Sequence, residues 1–491
     1  MASPRRQPWR LGMTRRQLVG TSAVAGLAGA LGLPVTATVV GAPPANAAGG
    51  PSLFARFCGA CQSGSEPSVI TSLGLTWDRQ DLSWASIQPG EGEWDDSALD
   101  AFVSRVHAAT NAGANLLPVL DYTAPWAARA DPYSFIHQGD TFDVGTVISA
   151  TDSNFVRRVV QTAPDGTVVS DEEMTMSRSK TPPRSVDEWV AYINHVTDAL
   201  VANGVSYLQV WNEAWWGSGF WLSGMDDYFD TIHNPAAEAI HAKGGRVVYG
   251  GWPADAPNTL ADQITEHNAW DTVDVLDVHY RAVNSMPSLL AAMATESDKP
   301  RLWQTEYGFT TAVTTIPNLW PRLFSWALSE GLAADPDMVK MFWFAWSSPD
   351  DSAAYGYGKC LMTGAAPSDH GQAIRALVEL LNETGTVSTF QNYSTEPAYG
   401  FTLDGSVSCT EGFLMPSGKR VIALHMKNPP ATIIVTISGL SGSADRVDIF
   451  GNHTAAAVDG DTVSFPSADP DPDAEAVNAN STLRTVYLEL T

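Results

Sequence analysis

The chain has 491 residues, of which 44% are hydrophobic and 17% are charged, so it can bury a large core and form more than one domain. Its 28 basic and 54 acidic residues give a formal net charge of −26. This charge excludes nucleic acid as a favourable partner, because the phosphate backbone binds basic surfaces. It also disfavours a polyanionic polysaccharide, although a local basic pocket could still bind one.

The N-terminus has the features of an export signal. An arginine-containing start is followed by "TRRQLVG" at 14–20, a Gly/Ala-rich apolar stretch and "ANA" at 45–47. Paired arginines before an apolar segment and a small-residue cleavage site are typical of bacterial twin-arginine signals. We therefore predict that residues 1–47 are a signal peptide and that the protein is secreted, with no stable membrane anchor. A retained anchor is the alternative, but Pro34 interrupts the apolar run and the run is poor in Leu and Ile.

Residues 48–383 alternate short apolar runs with longer amphipathic segments, which is the pattern of βα units on a parallel sheet. The predicted strands are "LFARFCG" near Leu53, "LGLTWDR" ending at Arg79, "NLLPVLDY" ending at Tyr122, "SYLQVWNE" ending at Glu213, "RVVYGGW" ending at Trp252, "VDVLDVHY" ending at Tyr280, "RLWQTEYG" ending near Glu306 and "MVKMFWFAW" ending at Trp346. Helical spacing separates them, as in "SVDEWVAYINHVTDALVANG", which opens with a Ser cap and closes on Gly204. This region is predicted to be a (β/α)8 TIM barrel, an α/β fold.

Two further segments differ from the βα pattern. The longest insertion runs from Ala127 to Pro183 and is predicted to form a wall or lid of the functional site. After Asn382 short alternating β runs are separated by turn residues, which predicts a β-sandwich domain at 384–491. Within it, "ADPDPDAEAVNAN" at 468–480 is interpreted as a solvated acidic loop, because it lacks the glycine and spacing of an EF-hand. No metal and no other cofactor is predicted.

The chain has four cysteines, with Cys58 and Cys61 in "FCGACQ" and Cys360 and Cys409 far from them. A CxxC spacing is compatible with a redox pair or with half of a zinc site. A second CxxC and a histidine cluster are both missing from the sequence. We therefore predict structural thiols or a disulfide, whose pairing the sequence leaves open.

Polar and aromatic residues end the predicted strands. In a barrel of this kind the active site forms at the carboxyl ends of the strands. The candidates that would converge there are Arg79, Asp121, Tyr122, Asn212, Glu213, Trp252, His279, Tyr280, Glu306 and Trp346.

Glu213 and Glu306 end the fourth and the seventh predicted strands and can face each other across the barrel mouth. Hydrolysis of a glycoside with retention needs two carboxyls about 5–5.5 Å apart, one protonated and one ionised. Paired carboxylates separate their own pKa values, because ionising one disfavours ionising the other. A single glutamate at a strand end is usually an ordinary solvated residue, so the prediction depends on the pair. No GxSxG elbow, GxGxxG loop or Walker-type loop offers a different chemistry.

Further candidates surround the pair. Tryptophans are predicted to stack on sugar rings and to keep Glu213 protonated by desolvation; they are Trp211, Trp215, Trp216 and Trp346. Asn212 could bond a sugar hydroxyl. Arg79 either orients the nucleophile or forms a rim ion pair, and Tyr280 either bonds Glu306 or only packs. The other predicted substrate-binding residues are His279, Asp121, Tyr122 and Trp126.

At these residues the sequence resembles clan A of the glycoside hydrolases. "VWNEAWW" and "WQTEYG" match the positions of the acid/base and of the nucleophile in that clan. "LGLTWDRQDLSWASIQPGEGEWD" and "LLPVLDYTAPWA" are most similar to the family 39 enzymes of the β-xylosidase type, which carry a β-sandwich after the barrel. The resemblance implies a retaining β-glycosidase with Glu213 as acid/base and Glu306 as nucleophile, supported by Asn212, Tyr280, Arg79 and Trp346.

The sequence departs from that family in two places. Ala214 stands where many members have Pro, and the insertion after the third strand is long. The substrate therefore stays open between a xyloside, a glucoside and an extracellular polysaccharide, as does exo or endo action. The alternatives are a barrel that binds carbohydrate without cleaving it and a transglycosylase that uses the same site.

Overall fold

The computed structural model describes residues 51–63, 67–252, 260–281, 285–295, 301–308, 313, 315–344, 360–363, 366–391, 407–427, 432–437, 440, 442–466 and 483–491. The predicted signal peptide, Trp346 and the acidic loop at 468–480 lie outside the described residues.

The described chain contains both helices and strands. The α-helices are α1 (Leu53–Phe57), α2 (Trp84–Ile87), α3 (Asp96–Asn111), α4 (Val186–Ala202), α5 (Met225–Tyr228), α6 (Asn234–Ala242), α7 (Leu260–Glu266), α8 (Met286–Ala294), α9 (Thr315–Glu330) and α10 (Asp369–Leu380). The strands are β1 (Cys58–Cys61), β2 (Trp77–Ser83), β3 (Asn115–Asp121), β4 (Tyr133–His137), β5 (Asp140–Ala150), β6 (Asn154–Thr162), β7 (Val168–Ser177), β8 (Tyr207–Val210), β9 (Arg246–Tyr249), β10 (Leu276–His279), β11 (Leu302–Tyr307), β12 (Val339–Trp343), β13 (Met362–Thr363), β14 (Ala366–Pro367), β15 (Ser388–Gln391), β16 (Val407–Leu414), β17 (Arg420–Lys427), β18 (Thr432–Thr436), β19 (Ala444–Val447), β20 (His453–Ala455), β21 (Ala457–Asp459), β22 (Thr462–Pro466) and β23 (Leu483–Leu490). Short 3-10 turns lie at Pro67–Leu73, Pro125–Ala127, Arg178–Lys180, Trp216–Ser218 and Trp270–Thr272, and a π-helical turn at Phe229–His233.

Eight parallel strands form the barrel. They are hydrogen-bonded in the order β10, β11, β12, β1, β2, β3, β8 and β9. The parallel bridges Val248 to Val275 and Trp252 to Val278 join the two ends of this order. The predicted TIM barrel is therefore confirmed, and the carboxyl ends of its strands open on one face.

The first predicted strand is wrong in its first half. Residues 53–57 form α1, and the strand occupies only Cys58–Cys61. Ser52 caps the helix by accepting a hydrogen bond from the backbone N–H of Ala55 at 3.1 Å. Phe54 and Phe57, three positions apart on one face of the helix, both pack against Phe324. A hydrophobic run this short does not distinguish a buried strand from a buried helix.

The helix that follows the insertion has the predicted ends. Ser185 caps α4 by accepting a hydrogen bond from the backbone N–H of Glu188 at 3.3 Å. After the helix, Gly204 adopts a φ of 90°, a conformation that glycine adopts without steric cost. The apolar face of α4, which includes Trp189 and Tyr192, is fully buried.

The two cysteines of the CxxC motif cannot pair. Side chains alternate along a strand, so positions i and i+3 project from opposite faces. Cys58 joins the main core outside the barrel sheet, whereas Cys61 lies in the barrel interior with Trp77, Leu117 and Trp303. Both thiols are buried and neither forms a disulfide.

The insertion forms a four-stranded antiparallel sheet in the order β4, β5, β6 and β7. Phe135 and Phe142 on its inner face stack on each other at 5.1 Å and contact the ring of Trp216 at 4.9 and 5.2 Å. The insertion is therefore packed against the segment that follows Glu213.

The C-terminal strands form two antiparallel sheets, one in the order β15, β16, β17, β23, β19 and β20 and the other in the order β18, β22 and β21. Ile433, Val435 and Leu488 are buried between them. Phe413 of the larger sheet packs on Phe324 of α9 at 5.6 Å, which fixes the predicted sandwich against the barrel. Among the described residues, no helix is both long enough and apolar enough to cross a membrane.

Candidate active site

The backbone bends sharply where the polar residues leave the barrel strands. Trp211, Glu213 and Tyr280 have φ values of 66°, 47° and 56°, in the left-handed region that residues other than glycine rarely adopt. Such conformations persist only where the surrounding structure enforces them, and they concentrate at functional sites. Here they occur where the chain leaves β8 and β10.

Arg79 holds three strands together beneath the mouth. Its Nε donates to Oε1 of Gln209, its Nη1 to Oε1 of Glu306 and its Nη2 to Oδ1 of Asn212, each at 2.7 Å. The side chain is only 2% exposed, so these charge-assisted bonds are screened little by solvent. Arg79 lies within β2 rather than at its end, because the strand continues to Ser83.

Glu306 is held as a carboxylate. Its second oxygen, Oε2, accepts a hydrogen bond from the hydroxyl of Tyr280 at 2.7 Å. Burial opposes ionisation of Glu306, but the positive charges of His279 and Arg79 and these hydrogen bonds outweigh it and lower the pKa. An ionised carboxylate with oriented oxygens is the state that nucleophilic attack requires.

Glu213 has the opposite environment. Its side chain is 10% exposed, and burial raises its pKa, with the neighbouring charge of Glu306 acting in the same direction. Oε1 of Glu213 accepts a hydrogen bond from Nδ1 of His279 at 2.8 Å. The two glutamates are therefore pushed toward different protonation states at the same pH.

His279 lies beneath the glutamates and is fully buried. Its Nε2 is 3.2 Å from Oγ1 of Thr305 and 3.4 Å from Oδ2 of Asp277. Burial lowers the pKa of His279, but the carboxylates of Glu306 and Asp277 raise it more strongly, to about 10. These charges favour the imidazolium form of His279, whose Nδ1 bonds Glu213. The ring is fully buried in the structure, and contact of His279 with a sugar stays a prediction.

The two catalytic candidates are close enough to act on one atom. One oxygen of Glu213, one oxygen of Glu306 and one nitrogen of His279 lie within 4.8 Å of one another. This set could hold a metal ion by distance alone. Both oxygens of Glu306 already accept hydrogen bonds, however, one from Arg79 and the other from Tyr280.

Of the four predicted sugar-stacking tryptophans, the structure describes three near Glu213, and Trp346 lies outside the described residues. Trp211 is fully buried, and its Nε1 donates to the backbone oxygen of Phe220 at 3.1 Å. Trp216 packs into the insertion sheet, and Trp215 lies between Trp252 and His137. Trp215 and Trp216 are 7% and 8% exposed, so these rings are covered by protein rather than open to a ligand.

The remaining predicted residues lie at different distances from the pair. The hydroxyl of Tyr122 accepts a hydrogen bond from Nδ2 of Asn212 at 3.3 Å, which places it beside the glutamates. Asp121 ends β3 with its carboxylate buried. Trp126 instead packs on Trp84, and its Nε1 donates to the backbone oxygen of Gln88, so the described contacts place it on the rim.

Three residues near the site carried no clear signal in the sequence. Gln209 bonds Arg79 from within β8, in a run that reads as apolar core. Lys180 comes from the end of the insertion and lies over the ring of Tyr122. Asp81 follows Arg79 by two positions, so the two side chains share a strand face. This spacing could have predicted from the sequence that Asp81 lies near the site.

No protein-family model and no curated protein matches the chain. Solved structures do match its fold. A family 39 glycoside hydrolase from Bacteroides cellulosilyticus WH2 is 13% identical with a TM-score of 0.50, over 89% of this chain and 82% of that one. A glycoside hydrolase family 30 subfamily 8 xylanase from Clostridium acetobutylicum is 10% identical with a TM-score of 0.50, over 89% and 96%. The likeness to clan A barrels inferred from the sequence is thus confirmed at the level of the fold.

Proposed function

We propose that the protein is a retaining β-glycosidase that hydrolyses the O-glycosidic bond of a glycoside or polysaccharide outside the cytoplasm. One observation carries the proposal: Glu213 and Glu306 present oxygens within 4.8 Å of each other, and their pKa values are shifted in opposite directions. Oxygens this close favour retention, for which the two carboxyls lie about 5–5.5 Å apart, because inversion needs about 6.5–9.5 Å to admit a water molecule.

In the first step the Glu306 carboxylate attacks the anomeric carbon. The bond from that carbon to the leaving oxygen breaks as Glu213 gives its proton to the oxygen, so the aglycone departs as an alcohol. In the second step Glu213 removes a proton from water, and the hydroxide attacks the same carbon. The ester to Glu306 then breaks, and both glutamates regain their starting states.

The neighbouring residues have positioning roles in this mechanism. Arg79 and Tyr280 each bond one oxygen of Glu306, which orients the nucleophile and stabilises it as a leaving group in the second step. Arg79 also holds the amide oxygen of Asn212. The Asn212 amide nitrogen donates one hydrogen to the hydroxyl of Tyr122, which leaves its second hydrogen for a sugar hydroxyl beside the anomeric carbon.

Export is a separate part of the proposal, supported by the twin-arginine sequence at 14–20 and the small-residue site at 45–47. It predicts that a secreting host releases a chain beginning near Ala48. N-terminal sequencing of that product tests the site, with the Arg15→Lys, Arg16→Lys double variant as the control that should stay inside the cell.

The catalytic proposal is tested on the mature chain with 4-nitrophenyl β-glycosides and plant and bacterial polysaccharides. Glu306→Ala should abolish turnover, and azide should restore it with formation of the inverted glycosyl azide. A protein that binds glycans but turns over none of these substrates would support the carbohydrate-binding alternative. Glycosyl transfer to added acceptor sugars in preference to water would support the transglycosylase.

A further inference from the structure

A buried carboxylate without a partner lies beside the proposed catalytic pair. Asp121 is 1% exposed, and neither of its oxygens accepts a hydrogen bond from any residue that the structure describes. An isolated buried carboxylate is costly, and burial raises the pKa of Asp121 accordingly. A group of this kind needs a partner from outside the protein fold.

Lys180 supplies an ammonium group to the same pocket. The backbone around it is fixed: the N–H of Thr123 donates to the oxygen of Ser179 at 3.0 Å, and the N–H of Leu222 donates to the oxygen of Lys180 at 2.8 Å. Its Nζ lies 2.7 Å from the centroid of the Tyr122 ring and makes no hydrogen bond within residues 51–491 as far as these are described. The insertion thus carries an amino group to the barrel mouth, where burial lowers its pKa to about 7 and the neighbouring carboxylates of Asp121 and Asp81 oppose that shift.

Asp121 and Lys180 attract each other electrostatically but do not form a hydrogen bond or an ion pair at contact distance. A donor and an acceptor that are near each other and both unsatisfied leave a gap for a bridging group. The gap faces the barrel axis. Asp121 is in register with Ser83 on β2, whose inward-facing positions include Arg79 and Asp81, and Asp81 is exposed in the mouth.

The chemistry of the gap selects the bridging group. A sugar hydroxyl can donate to Asp121 and accept from Lys180 at the same time. A uronic acid would bring a third carboxylate toward Asp81 and Asp121. An amino sugar would bring a second ammonium toward Lys180 and leave it unsatisfied.

We propose that Asp121 and Lys180 form a hydroxyl-binding clamp that selects a neutral sugar as the ring attacked by Glu306. This inference rests on the proposed function. The clamp adjoins that ring because Tyr122, under the Lys180 ammonium, accepts a hydrogen bond from Asn212. The strand-end residues that resemble clan A do not form this clamp by themselves, because Lys180 belongs to the insertion.

The test compares the wild type with Lys180→Met and Asp121→Asn on 4-nitrophenyl β-xyloside, glucoside, galactoside, mannoside, glucuronide and glucosaminide. The best neutral substrate is then compared with its monodeoxy analogues. Each variant should lower kcat/KM on the neutral substrate about 10- to 100-fold, the usual effect of a hydrogen bond to a charged group. It should have less than a twofold effect on the one analogue that lacks the clamped hydroxyl.

Arg158→Met is the matched control, because Arg158 belongs to the same insertion as Lys180 and lies on its sheet with a side chain 65% exposed and paired with Asp171. It should leave kcat/KM unchanged. A wild type that prefers the glucuronide or the glucosaminide would overturn the clamp. An equal loss by Lys180→Met on every deoxy analogue would overturn it too, since a general structural defect acts on all substrates.

Failure of the clamp can be separated from failure of the proposed function. If the wild type cleaves none of these glycosides and none of the plant and bacterial polysaccharides, the proposed function fails, and the clamp is tested by calorimetric titration with xylose, glucose, galactose and mannose. A loss of affinity of tenfold or more in Lys180→Met and Asp121→Asn, with Arg158→Met unchanged, would support the clamp. Equal affinity in all four proteins, or binding to none of the sugars, would overturn it.

Discussion

Nη1 of Arg79 donates to Oε1 of Glu306 across 2.7 Å, and both side chains are less than a tenth exposed. The same guanidinium bonds Asn212 and Gln209, so one side chain sets the position of Glu306 relative to Asn212, the residue before Glu213. Only a planar group with several fixed donors can serve three acceptors in this way.

Replacing Arg79 with Met should strongly destabilise the fold, because it leaves the Glu306 carboxylate buried without its counter-charge. We expect a loss of about 3–5 kcal/mol in the free energy of unfolding, measured by denaturant titration. Arg79→Lys should recover part of the stability, since it keeps the charge, but not the activity, since an ammonium cannot bond Asn212 and Gln209 in the same geometry. Equal activity of Arg79→Lys and wild type would contradict this role.

The stability of the protein should decrease at alkaline pH because of His279. The pKa of His279 is about 10 in the folded protein, whereas an unperturbed histidine has a pKa of 6.5. The folded state therefore binds the proton more tightly than the unfolded chain does. The stabilisation is fully present below about pH 6.5 and is lost as the pH rises through 10. Thermal unfolding of wild type and His279→Gln between pH 6 and 10 measures it.

The difference between these two proteins isolates His279, because other buried bases contribute equally to both. The stability gap should be largest at pH 6 and should narrow toward pH 10. A gap that is independent of pH would mean that His279 is neutral in the folded state.

Glu213→Gln should separate the two proposed steps. Substrates with poor leaving groups need the proton from Glu213, so we expect their kcat/KM to fall about 100- to 10,000-fold. Substrates with a dinitrophenolate leaving group need no such proton and should form the glycosyl-enzyme at nearly the wild-type rate. Added azide should then give the β-glycosyl azide, in contrast to Glu306→Ala; an equal loss on both kinds of substrate would contradict Glu213 as the acid.

Gly251 is required for the packing above His279. It has a φ of 75°, and a Cβ at this position would overlap Nε2 of His279. Gly251→Ala should therefore displace the imidazole and reduce kcat/KM in addition to straining the backbone. Gly244→Ala is the matched control, because Gly244 has a φ of 80° and open space around its missing Cβ. It should cost stability alone, and equal activity of the two variants would contradict the effect on His279.

The rule that active-site residues lie at the carboxyl ends of barrel strands predicted the main parts of this site from the sequence. Short apolar runs between amphipathic segments located the barrel strands, and the residues that ended them included Asn212, Glu213, Tyr280 and Glu306, which the fold brings together. The exposure of individual side chains was not predicted from the sequence. Trp216 and His279 were placed by residue type, whereas their exposure depends on contacts with distant elements, such as Phe135 for Trp216 and Thr305 for His279.

Lys180 was not predictable for a related reason. It lies in a 3-10 turn at Arg178–Lys180, where no hydrophobic period fixes the direction of a side chain. Its place over Tyr122 results from backbone hydrogen bonds to Thr123 and Leu222, which pair segments far apart in the chain. The prediction of a strand at 53–57 was wrong for a local reason, because the Ser52 cap favours a helix over the strand that the apolar run suggested.

The central claim is that Glu306 forms a covalent bond to the sugar. A dinitrophenyl 2-deoxy-2-fluoro-β-glycoside of the preferred sugar tests this directly, because the fluorine slows hydrolysis of the glycosyl-enzyme more than its formation. We predict a mass increase of one fluoroglycosyl unit on the intact protein, located by peptide mapping at Glu306 and absent from Glu306→Ala. Release of dinitrophenol in many turnovers without an adduct, or an adduct on another residue, would contradict the account.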